Sequence, residues 1–139
     1  MIKVSNSKGG TKVVLTWNNY IKLLYKLCEK IKQSGIDFDF AYGPARGGLI
    51  PVTVLSHYLN KPILEKNELG CVPESFNVLV IDDLVDTLIT VVRTKGLFRP
   101  GTKVFTATLF KHKKCKFVPD FYISENDKWV SFPYEKDYL

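Results

Sequence analysis

The sequence has 139 residues, 45% of them apolar, with nine Phe, seven Tyr, two Trp and a formal net charge of +6. Such a chain is long and aromatic enough to exclude a disordered protein, and it reads as one domain over residues 1–139 with a real core. The basic excess suits either nucleic acid or a strongly anionic small substrate, and nucleic acid is the less favoured because only residues 111–116 are densely basic.

Cys28, Cys71 and Cys115 have no paired spacing, so reduced thiols in a cytoplasmic setting are expected, and a zinc site is not. No secretory segment and no apolar stretch of about 18 residues appears, so no membrane role is expected.

Residues 1–10 are polar and read as a loosely held, flexible arm. Val13 to Leu15 reads as a short edge strand, and Thr16 as the N-cap of a helix. Trp17, Tyr20, Ile21, Leu24, Leu27, Cys28 and Ile31 recur at helical spacing, with lysines on the other face, and Gly35 suits the C′ position. Ile36 to Tyr42 alternates and then becomes apolar, predicting the first buried strand.

Gly43-Pro-Ala-Arg-Gly-Gly-Leu-Ile-Pro51 follows that strand. Glycines clustered between a strand and a helix expose backbone amides that suit a phosphate, and Arg46 adds a planar fork of donors. Alone, the same residues also fit an ordinary turn with a surface arginine. Leu49 to Leu59 is a nearly all-apolar helix in which His57 reads as packed or surface. Pro62 to Leu64 reads as a short strand.

Val78 to Ile81 is a β-branched apolar run, as in a strand buried on both faces. Asp82, Asp83, Asp86, Thr87 and Thr90 come directly after it, where open α/β sheets bind ligands. Adjacent residues of an extended chain point to opposite faces, so Asp82 and Asp83 would engage a metal, a diol or a helix terminus from different directions. One of them could instead simply cap the next helix. Residues 90–98 read as helix, closed by Pro100 and Gly101, and Thr102 to Phe110 as a strand that ends at Lys111. The basic run 111–116 reads as a solvated turn, and Phe121 to Ile123 as a last short strand.

Val80-Ile-Asp-Asp-Leu-Val-Asp-Thr-Leu-Ile-Thr90 resembles the phosphoribosyl-pyrophosphate motif of type I phosphoribosyltransferases. Residues 43–51 resemble that family's pyrophosphate loop, and the likeness runs from about Thr16 to Glu135. It implies an open, mostly parallel twisted sheet with helices on both faces. Asp82 and Asp83 would hold the donor's ribose, in part through Mg2+. Asp86 would be the general acid/base, Arg46 and Gly47 would hold pyrophosphate, and Thr87 and Thr90 the 5′-phosphate. Two features depart from the pattern. Leu88 stands where the family has glycine, and residues 65–75 are short for its flexible lid.

Lys111 and the tail around Trp129, Val130, Pro133, Tyr134 and Glu135 resemble the xanthine-guanine and hypoxanthine members. The resemblance implies that Lys111 bonds a 6-oxo group, Trp129 stacks on the base and Val130 reads it through its backbone. Trp129 could equally be ordinary core. The implied function is transfer of ribose 5-phosphate from phosphoribosyl pyrophosphate to a 6-oxopurine in purine salvage, by a homodimer. The alternative is a weak or inactive relative that senses nucleotides or binds RNA.

Overall fold

The computed structural model describes residues 3–7, 10–85 and 88–135, with side chains from residue 12 onward except Leu88. Asp86 and Thr87 lie outside the described residues. The first two strands are β1 (Lys3–Ser7) and β2 (Gly10–Val14), followed by α1 (Trp17–Gln33), β3 (Phe40–Tyr42) and α2 (Leu49–Leu59). The second half runs β4 (Asn77–Val85), α3 (Leu88–Lys95), β5 (Lys103–His112), β6 (Phe121–Asn126) and β7 (Trp129–Ser131).

The main sheet is parallel throughout, in the order β3-β4-β5-β6. From β3 the chain passes through α2 to Ile63, which makes a parallel bridge to Ala41 on the outer side of β3. It then returns to β4 on the inner side. Right-handed crossovers in opposite lateral directions place their helices on opposite faces. On one face α1 and α2 pack Tyr20, Leu24, Leu27, Val52 and Leu55 onto Leu79, Ile81, Ala107 and Leu109. On the other, α3 borders Val80, Asp82, Thr106 and Thr108. The chain thus diverges between β3 and β4, and a crevice opens at the carboxyl ends of strands at such a point.

Local signals account for the ends of α1. Thr16 Oγ1 accepts from Asn19 N at 3.2 Å, and Gly35 takes φ +74°, the left-handed conformation that stops a helix.

Several strands differ from the sequence expectation. Lys3–Ser7, read as an arm, pairs antiparallel with β2, with Ser7 opposite Gly10. β2 is therefore not an edge: β7 flanks its other side in parallel. Its backbone has partners on both sides, which composition alone does not reveal. Pro62 to Leu64 supplies one bridge and no strand, and Pro62 has no N–H for a ladder. β4, β5 and β6 each run beyond their apolar stretches, because pairing in register continues through the polar residues.

Residues 66–71 form a short 3-10 helix with a capping box between Glu65 and Glu68. Leu69 and Val72 are buried with Tyr42, Val78 and Phe98, and Arg99 Nε donates to Gly70 O at 2.8 Å. The segment expected as a short lid is anchored to the core at both places.

Candidate active site

The loop after β3 packs backbone against backbone, which explains its glycines. A Cβ on Gly43 would stand 2.1 Å from Gly48 O, and one on Gly48 would stand 2.7 Å from Ile81 O. Both lie far inside contact distance, so only glycine permits this approach. Gly48 N donates to Pro44 O and Leu49 N to Arg46 O, closing the turn that leads into α2. The Ala45–Arg46 peptide bond is cis. Arg46 is exposed and makes no ion pair among the described residues, so its guanidinium remains available at the start of α2. The positive end of the helix dipole lies on the same side.

Asp82 and Asp83 fall inside β4, so strand alternation sends them to opposite faces. Asp82 lines a narrow cavity of about 40 Å³ with Pro44, Thr90 and Thr108, under α3. Asp83 turns the other way, toward the loop and the C-terminal tail. A Cβ on Gly47 would stand 2.3 Å from Asp83 Oδ2, and the Tyr134 hydroxyl donates to that same oxygen. Asp83 N in turn donates to Asp82 Oδ1 at 2.8 Å.

Neighbouring phenols register both charges. Burial, and then the charge of Asp83, push the Tyr20 and Tyr134 hydroxyls well above the usual tyrosine value. Burial and Asp82 raise Tyr42 in the same sense. The pair therefore sits between a tyrosine on one face and two tyrosines on the other.

Among the described residues no group of three or more His, Cys, Asp or Glu side chains could cage a metal ion. Magnesium is commonly held by one or two carboxylates plus substrate phosphates, so a cage is not required, and either carboxylate of the pair, which face opposite ways, fits that mode singly.

Thr90 lies in the first turn of α3 and is exposed. With Tyr42, Pro44, Ala45, Lys66 and Arg93 it lines a cleft of about 710 Å³ beside the loop. Leu88 opens α3, and Asn60 is the only non-glycine at positive φ among the described residues. Position 88 has therefore taken a helical backbone in place of a glycine turn.

Lys111 lies inside β5 rather than past its end, opposite Val85 and Glu125. Its side chain is 5% exposed, with Nζ 3.4 Å from His112 O and 3.6 Å from Glu125 Oε1. Both contacts are long for a buried ammonium with three donors. Trp129 is 60% exposed, which rules out ordinary core, while Val130 is 2% exposed and packed inside. Only the backbone of Val130 can therefore read a ligand.

Sequence reasoning joined the loop to the acidic pair, and the contact of Gly47 with Asp83 realises that join. It missed Tyr20 and Tyr134 as neighbours of Asp83, and Glu125 as the partner of Lys111. The Pro-Tyr-Glu ending was visible, but nothing in the local pattern directs a tyrosine hydroxyl to a carboxylate 51 residues away.

No family model and no curated protein sequence matches the chain. Solved structures do match. A purine phosphoribosyltransferase from Pyrococcus horikoshii aligns at 29% identity and TM-score 0.71, over 90% of this chain and 94% of that one. The chain resembles the type I phosphoribosyltransferases and has their fold. A hypothetical protein from Neisseria gonorrhoeae with bound ppGpp aligns at 26% identity and TM-score 0.71, over 88% of each chain. A xanthine-guanine-hypoxanthine phosphoribosyltransferase from Helicobacter pylori aligns at 19% identity and TM-score 0.71, over 90% of this chain and 94% of that one. At that identity the last likeness carries the phosphoribosyltransferase fold alone.

Proposed function

We propose that this protein transfers ribose 5-phosphate from phosphoribosyl pyrophosphate to a 6-oxopurine (guanine, xanthine or hypoxanthine), releasing pyrophosphate, in purine salvage. The observation that carries the reading is the contact between Gly47 and Asp83, which joins a glycine-rich anion loop to a carboxylate pair at the topological switch point. In this reading Arg46, Gly47 and the start of α2 hold the pyrophosphate. Thr87 and Thr90 hold the 5′-phosphate, Thr90 from the first turn of α3. Asp82 and Asp83 hold the ribose hydroxyls and Mg2+. When bound, the ion neutralises charge on the departing pyrophosphate.

The C1′–oxygen bond to pyrophosphate breaks as the bond from C1′ to the purine nitrogen forms, and Asp86 exchanges the purine's proton at its N7 edge. Lys111 donates to the 6-oxo group, Trp129 covers the face of the ring, and the backbone at Val130 reads its far edge. The protein works as a cytoplasmic homodimer. The incompletely satisfied Lys111 ammonium supports the oxo preference, since it can donate but not accept.

A second reading, a nucleotide-sensing regulator with weak or no turnover, draws on Leu88 and on the ppGpp-bound Neisseria relative. Binding of guanine, hypoxanthine and adenine, measured calorimetrically with donor analogue and Mg2+, tests the base preference. The 6-oxopurines should bind and adenine should not. Lys111→Ala should weaken the former by about 1.5 to 3 kcal/mol, the range for a hydrogen bond to a charged group. Equal binding of adenine and guanine contradicts the assignment.

A further inference from the structure

The C-terminal tail reaches the carboxylate pair through Tyr134. Its ring stacks on Phe132, with centroids 5.7 Å apart and planes within 5°, and meets Tyr20 edge-on at 5.7 Å. Tyr20 is fully buried and Phe132 is 2% exposed, so the ring is braced on both sides by core. The tail backbone is fixed as well. Phe132 N donates to Glu135 Oε1 at 3.1 Å, and Glu135 N donates to Phe132 O at 3.0 Å. A hydroxyl carried on such a ring has little freedom to search, and it donates to Asp83 Oδ2. Gly47 lies against the same carboxylate, where a Cβ would stand 2.3 Å from Oδ2 and 2.6 Å from Oδ1, so Asp83 has no room to retreat toward the loop.

We propose that Tyr134 is a positioning residue for the donor site, fixing Oδ2 of Asp83 so that Oδ1 is the oxygen left for the donor's ribose and its metal ion. The inference rests on the phosphoribosyltransferase reading above and adds to it a residue from outside both motifs. It also ties the donor carboxylate to the segment that carries Trp129 and Val130, only a few residues earlier in the chain. Burial, with the adjacent Asp83 charge, keeps the phenol protonated well above neutral pH, so the tyrosine remains a donor across the working range.

A purely structural role for Tyr134 makes a different prediction from a positioning role. The test is calorimetric titration of phosphoribosyl pyrophosphate with Mg2+, without purine, into the parent, Tyr134→Phe, Asp83→Asn and the double variant. Tyr134→Phe keeps the ring in the stack and should weaken donor binding about ten- to a hundredfold, the range of one hydrogen bond to a charged group. In the Asp83→Asn background the same change should cost less than about twofold, because the interaction it removes is already altered. Equal loss in both backgrounds, or no loss in either, overturns the proposal. A parent that fails to bind the donor refutes the proposed function itself, which separates the two failures. If Tyr134→Phe does not fold, Tyr134→Trp repeats the test with a flat ring in the stack and the hydroxyl removed.

Discussion

At position 47 a single hydrogen atom in place of a methyl group decides whether the loop can lie against Asp83. A methyl there would stand 2.3 to 2.6 Å from the carboxylate atoms, so either the loop or the carboxylate must move. Gly47→Ala should therefore keep the fold, at a cost of about 1 to 3 kcal/mol for overpacking, and lose donor affinity by tenfold or more. Urea unfolding and donor titration read the two effects separately, and undiminished donor binding would remove Gly47 from the site. Arg46, Gly47 and the Asp82–Asp83 pair were legible because their chemistry is local: glycines before a helix, carboxylates on a buried strand. Lys111 was legible as to type but not as to setting. A basic run reads as solvated, yet register places Lys111 opposite Glu125 and buries it. Tyr134 was the least legible, since its partner is fixed only by tertiary packing.

At the scale of elements, the start of α3 bears on whether the site is competent. Leu88 takes a helical backbone, so no left-handed strain is stored there, and leucine is a good helix former. A glycine turn would aim more amides inward at a phosphate, whereas a helical start offers its first-turn amides and its dipole. Leu88→Gly should loosen the first turn by about 1 kcal/mol of helix propensity. It should also let the chain bend toward the phosphate and tighten donor binding by about tenfold, equivalent to about 1.4 kcal/mol. If the parent binds tightly and the variant no better, the helical start is a sufficient phosphate site. The boundaries of α1 were legible from Thr16 and Gly35, because capping chemistry is read within a few residues, whereas α3, read as 90–98, runs Leu88–Lys95. The strands were legible only where they are apolar, and β1, the second half of β4 and the end of β5 depend on pairing partners distant in sequence. The 3-10 segment stands where the family has a flexible lid and read as short for one, and buried Leu69 and Val72 anchor it.

For the whole molecule, the decisive feature is the change of direction between β3 and β4. Two apolar layers, one under α1 and α2 and one around Tyr42, Leu69, Val78 and Phe98, hold the parallel sheet from both sides. The apolar run of β4 announced this two-sided burial in the sequence. The crevice itself could not be read there, because it exists only once α2 and α3 diverge. The fold therefore brings the anion loop, the acidic pair and the aromatic tail to one end of the sheet, and a transferase needs all three at once. The most direct measurement follows phosphoribosyl pyrophosphate and hypoxanthine with Mg2+ by phosphorus NMR. Stoichiometric appearance of a nucleoside monophosphate and pyrophosphate, dependent on both substrates and abolished by Asp86→Asn, is the expected result. Donor that binds yet persists unchanged beside hypoxanthine, guanine and xanthine would contradict the transferase assignment and leave the nucleotide-sensing reading in its place.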